Sequence, residues 1–112
     1  MATTSLISIP EGTRIRQPLA FVDASGTAIN LATVTTLTFY VFREATTIIT
    51  ATEANSKLSI TTAASGLARL DLEIADTTGK NGEYKYEAWG IIGGVNQLLG
   101  RGPFYITETY TG

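Results

Sequence analysis

Cysteine and histidine are both missing from the chain. Serine–histidine triads, thiol nucleophiles and the common zinc sites are therefore excluded, and most hydrolase templates go with them. Without disulfides the domain must be held by its core alone, and the redox compartment stays open. Long apolar runs are missing too: nothing approaches the roughly 18 residues of a membrane span. The opening MATTSLISIPEG has neither a charged n-region nor an apolar h-region, so a soluble chain with no export signal is expected. Asn30, Asn55, Asn81 and Asn96 all lack a hydroxyl residue two places on, which leaves no N-glycosylation acceptor. Nor is there an excess of one charge. Eight basic residues are scattered among ten acidic ones for a net charge of −2. No cationic stripe is available for a phosphate backbone, and nucleic acid is not an expected partner.

What is present reads as an all-β domain. A length of 112 residues suits one domain spanning 1–112, and 44% hydrophobic with 16% charged residues is globular composition. Nineteen threonines, with many valines, isoleucines and aromatics, favour pleated backbone over helix. Turn formers cut the chain at short intervals: Pro10 to Gly12, Asp23 to Gly26, Glu53 to Ser56, Ser65-Gly66, Gly79 to Gly82 and Gly93-Gly94. Between them, Leu6 to Ile9 is a first strand. Thr13 to Val22 is a second, with Ile15, Leu19 and Phe21 inward, Arg14 and Arg16 outward, and Pro18 marking a bulge or an edge. Val34 to Arg43 alternates Leu37, Phe39 and Val41 against Thr38, Tyr40 and Phe42; bulk on both faces makes it central or covered. Thr46 to Thr52 and Lys57 to Thr61 read as a weaker pair, with helix as the alternative over Thr50 to Ala54. Leu67 to Ile74 points Ala68, Leu70, Leu72 and Ile74 one way and Arg69, Asp71 and Glu73 the other. Glu83 to Gly90 and Val95 to Leu99 form a hairpin around Ile91 to Gly94. Pro103 to Thr109 closes the domain with Phe104 and Ile106 inward. Seven to eight short strands with at most one short helical turn predict an antiparallel sandwich or barrel.

The stretch DTTGKNGEYKYEAW, from Asp76 to Trp89, narrows the choice. An acidic residue, a turn and Gly-x-Tyr-x-(core residue) is the pattern of a tyrosine whose hydroxyl bonds backbone across the corner before the penultimate strand of an immunoglobulin-like β-sandwich. On this reading Tyr84 pins the corner and Tyr86 fills the core. Period two puts Tyr84, Tyr86 and Ala88 on one face and Lys85, Glu87 and Trp89 on the other. The competing reading makes the two tyrosines a stacking platform, which needs them exposed. Trp89, an indole among charges, belongs either to core or loop packing or to an intersubunit contact.

No motif carries catalysis, and none is expected to. Asp71 and Glu73 share a strand face, as a glycosidase pair could, yet with Arg69 beside them they read as a solvated exterior. Asp23-Ala-Ser-Gly offers one carboxylate, too few for a calcium loop. Gly90-Ile-Ile-Gly-Gly and Gly100-Arg-Gly-Pro match neither a phosphate loop nor a dinucleotide fingerprint, so a hairpin turn and a strand bend remain. Arg14 with Arg16 reads as the wet face of its strand. Catalytic, cofactor and metal residues are thus all expected to be absent, and the protein is expected not to be an enzyme.

The order FVDASGTAINLATVTTLTFYVFREA, SGLARLDLEIADT, GEYKYEAWG and LLGRGPFYIT resembles the small β-sandwich domains of tailed-phage virion proteins, nearest the N-terminal domain of the phage baseplate upper protein family. The similarity runs over residues 13–108. It rests on the Asp23 to Gly26 turn before the Thr38 to Val41 strand, on Asp76 with Gly82 to Glu87, and on Gly102 to Phe104. It implies a non-enzymatic virion structural protein: a head-decoration, head-fibre anchor, neck, tail or baseplate accessory subunit. Such a subunit would be assembled in the host bacterial cytoplasm and would bind other virion proteins, itself as a trimer or hexamer and with no membrane partner. Residues 1–5 and 109–112 would be arms that order on assembly. The alternative is a carbohydrate-binding or host-adhesion module with Trp89, Tyr40 and Tyr105 as its sugar platform.

Overall fold

A computed structural model describes residues 3, 4, 6–23 and 25–108, with Thr3 and Thr4 described as backbone only. Its strand segments are β1 (Thr3–Thr4), β2 (Ile7–Pro10), β3 (Ile15–Ala20), β4 (Val34–Arg43), β5 (Thr46–Thr52), β6 (Leu58–Thr62), β7 (Leu67–Leu72), β8 (Gly82–Ile92) and β9 (Val95–Thr107). Single 3-10 turns occupy Leu31–Thr33 and Ala63–Ser65, and one helical turn, α1, covers Ile74–Thr77. A six-stranded sheet runs in the order β1-β9-β8-β4-β5 with β2 also on β9, and a three-stranded sheet runs β3-β7-β6. β1 and β2 follow one register along β9, both parallel to it, and count as one strand; the other strand pairs are antiparallel. The chain is therefore an eight-stranded, immunoglobulin-like β-sandwich, as the spacing of turns and the tyrosine pattern predict.

Alternation places the core. Leu37, Phe39 and Val41 of β4, Ala68, Leu70 and Leu72 of β7, and Tyr84, Tyr86 and Ala88 of β8 are all buried between the sheets. At their centre Phe39 stacks on Tyr86, with ring centroids 5.0 Å apart at 13°, and Phe104 meets both rings edge-on. Tyr86 lies opposite Gly102 in the ladder. β4 is central, flanked by β5 and β8. β3 is an edge, where Pro18 costs no ladder bond.

Three expectations need correction. Ile74 does not face the core: it is 58% exposed. β7 stops at Leu72, because the Asp76 carboxylate accepts the Glu73 N–H at 2.8 Å and turns the chain into α1. Thr50 to Ala54 is not helical; β5 runs to Thr52 and a turn follows. The expected strands Val95 to Leu99 and Pro103 to Thr109 are not separate: β9 runs unbroken over Val95–Thr107, absorbing Leu99 as a bulge between Gly100 and Leu98, and Thr109 lies outside the described residues. Pro103 can sit inside it because Leu6, the residue that the register would place opposite it, belongs to no strand. Its missing N–H falls where the ladder is interrupted. Of the expected arms, Thr3 and Thr4 pair with β9; residues 1, 2, 5 and 109–112 lie outside the described residues.

Candidate functional site

The corner before β8 is built from residues far apart in sequence. The Tyr84 hydroxyl, 5% exposed, donates to the Lys80 carbonyl at 2.7 Å, and the Lys80 N–H returns to the Thr77 carbonyl at 2.9 Å. The wholly buried Thr77 accepts the Gly12 N–H on Oγ1 at 2.9 Å. Beside it the Glu11 carboxylate, 3% exposed, accepts from the Gly79 N–H and, at 3.1 Å, from the Asn81 side chain. Glu11 thus clamps the turn after β2 onto the corner, a role invisible in the motif Pro-Glu-Gly. The Arg43 guanidinium covers the Tyr84 ring from 4.7 Å. Tyr84 and Tyr86 are both buried, which rules out their use as an exposed stacking platform.

The charged pairs singled out in sequence are engaged with one another. Asp71 lies between Arg69 at 2.7 Å and Arg16 at 3.4 Å, and Glu73 meets Arg14 at 2.9 Å. Asp23 accepts the Ser25 and Thr27 N–H groups at 2.9 and 3.0 Å, so its carboxylate shapes its own turn. Asp76 pairs with Lys57 at 2.8 Å. Burial pushes the Asp76 carboxyl up, but hydrogen bonds from Lys57 and from the Glu73 N–H, with the charges of Lys57 and Lys80, outweigh it and leave it below its ordinary value. Among the described residues no cluster of three or more carboxylate or other metal-binding side chains gathers, and no helix is long and apolar enough to cross a membrane.

The outer face of the larger sheet is different. Registered pairs put Thr38 opposite Trp89, Tyr40 opposite Glu87, Phe42 opposite Lys85, and Tyr105 opposite Glu83. Tyr40, Phe42, Trp89 and Tyr105 are all half-buried there. Tyr40 and Trp89 are diagonal neighbours, and the Trp89 Nε1–H donates to Glu87 at 3.0 Å. Tyr105 does not join them: Glu83 and Trp89 are six residues apart on β8, roughly 20 Å at strand rise. The three-ring platform is thus two rings and one distant ring. Beside Tyr105 lies an open concavity of about 770 Å³, lined among others by Phe42 and Pro103, to which the sequence assigned no functional role. Its charges balance, Arg43, Lys85 and Arg101 against Glu44, Glu83 and Glu87. None belongs to the four ion pairs found among the described residues.

The chain is thus an immunoglobulin-like β-sandwich with one open sheet face built up from aromatic and charged side chains. Neither a known protein family nor any curated protein matches the chain.

Proposed function

We propose that the chain is a non-enzymatic structural subunit of a tailed-phage virion, which binds other virion proteins through the outer face of the six-stranded sheet. The observation that carries this reading is the composition of that face. Half-buried aromatics stand among six charges of balanced sign that find no ion-pair partner among the described residues. Aromatic anchors ringed by unpaired charges suit a protein surface of complementary charge, where rings supply buried area and charges set register. The sequence resemblance to phage β-sandwich domains supplies the virion setting. Trp89 is the only tryptophan, so its emission reports on this face directly. Mixing the chain with candidate virion proteins should blue-shift that emission, and Lys85→Glu should weaken the complex. Purified virions that lack the chain, or binding indifferent to Lys85→Glu, would refute the reading.

One observation favours a second reading. The adjacency of Tyr40 and Trp89 offers a two-ring surface on which a sugar could stack. Glycan-array binding lost in Tyr40→Ala, with no virion partner found, would establish a carbohydrate-binding module instead.

A further inference from the structure

The two sheets leave four edges, and they are guarded unequally. β2 carries Pro10, and β3 carries Pro18 and Arg16. β6 is five residues long with a register shift between Ile60 and Thr62. All are recognised ways of blunting an edge against other chains. β5, with the sequence TTIITAT, has no charge and no proline, and it pairs only with β4. A bulge at Ile48 disturbs its first half, since Val41 pairs with Ile49 and Phe42 with Thr47. Its second half, Ile49 to Thr52, is regular.

That regular half is covered by a single side chain. The Asn55 carboxamide donates to the Thr50 carbonyl at 2.8 Å and accepts the Thr52 N–H at 3.0 Å. Both groups point away from β4, because N–H and C=O of one residue leave an antiparallel strand on the same side. Bonding C=O of one residue and N–H of the residue two further on is what a residue of a parallel neighbouring strand does. Asn55 therefore stands in for a missing strand. The turn holds it there: its own N–H donates to Thr52 Oγ1 at 3.1 Å, and its Oδ1 also accepts the Lys57 N–H at 3.1 Å.

We propose that the free edge of β5 is a strand-pairing surface for the same edge of a second copy, and that the Asn55 carboxamide is the latch that closes it in the lone chain. A strand without charge holds nothing to select an unlike partner. Paired antiparallel with its own copy about a two-fold axis, it meets only threonine, isoleucine and alanine. The pairing would join two six-stranded sheets into one. It does not rest on the virion reading and uses a different surface from the aromatic face.

Sedimentation velocity on the full chain, from micromolar to millimolar, tests this with Asn55→Ala, Thr50→Lys and the double variant. Asn55→Ala should lower the dimer dissociation constant by about tenfold or more, since it frees both the Thr50 carbonyl and the Thr52 N–H at each edge. Thr50→Lys, which puts a charge on the edge, should return both backgrounds to monomer. Hydrogen exchange should show the Thr52 amide opened in monomeric Asn55→Ala and protected again in its dimer. Asn55→Ala also loosens its own turn, and the double variant keeps that defect with the edge closed. A dimer that persists in the double variant, or an Asn55→Ala chain as monomeric as its parent, overturns the proposal. Lys85→Glu should leave this dimer unchanged, so the edge and the aromatic face can fail separately.

Discussion

Replacing Tyr84 with phenylalanine removes one oxygen and keeps the ring, so the Arg43 contact at 4.7 Å and the packing against the core persist. What is lost is the 2.7 Å bond to the Lys80 carbonyl. A hydrogen bond of this kind contributes about 1 kcal/mol net, and an orphaned, partly buried acceptor raises the cost. Lys80 is only half-buried, so water reaches part of the gap and about 1.5 kcal/mol is expected. Unfolding entropy near about 2.1 cal/mol/K per residue gives roughly 0.24 kcal/mol/K for a chain of this length. The loss then becomes a fall in Tm of about 6 °C. Differential scanning calorimetry measures it directly, and urea titration should show the midpoint falling with an unchanged slope. A fall of less than about 2 °C would refute the claim that the hydroxyl pins the corner.

Three further outcomes follow from the same structure. Gly90→Ala would bring a Cβ to 2.5 Å from Val34 Cγ1 and 3.0 Å from Leu99 Cδ1, so chemical denaturation should show a loss of about 1–3 kcal/mol from overpacking. Thr36 is β-branched yet held at φ 54°; Thr36→Gly should raise Tm, with a net gain of about 0.5–1 kcal/mol as relieved strain exceeds the added chain entropy. Asp76 titrates lower in the folded state than in the unfolded chain. Its stabilisation is therefore full above the unfolded value of about 3.9 and drains away as pH falls through the lower folded value. Urea midpoints measured downward from pH 7 should show a shallower acid decline in Asp76→Asn than in the parent chain.

Local patterns carried most of the fold. The alternation of VTTLTFYVFR and LARLDL names the inward residues correctly, and the spacing from Asp76 to Tyr86 locates the corner. The misreadings share a physical cause: each depends on a partner distant in sequence. Ile74 continues the period of β7, and only the Asp76 carboxylate bonding the Glu73 N–H breaks the strand there. Gly100-Arg-Gly-Pro looks like a bend because glycine and proline usually interrupt strands. β9 nonetheless runs through it, since β8 pairs with it on one side and, on the other, Leu6 opposite Pro103 belongs to no strand. Glu11 looks like a solvated turn carboxylate and is instead buried by groups 68 and 70 positions away. Of the candidate site, alternation found Trp89 and Tyr40, and it put Phe42 on the same outward set. Which rings lie together is set by strand order and register, and these put Tyr105 far from Tyr40 and Trp89.

The parallel pairing of β2 with β9 has a mechanical consequence. Tension applied through the two ends of the chain would pull Ile7 one way and Thr107 the other, along the direction in which these strands lie side by side. The bonds between them would then be loaded together and resist as a group, where a hairpin pulled from its open end would yield one rung at a time. A domain wired in this way is suited to sit in line with a force and transmit it without coming apart.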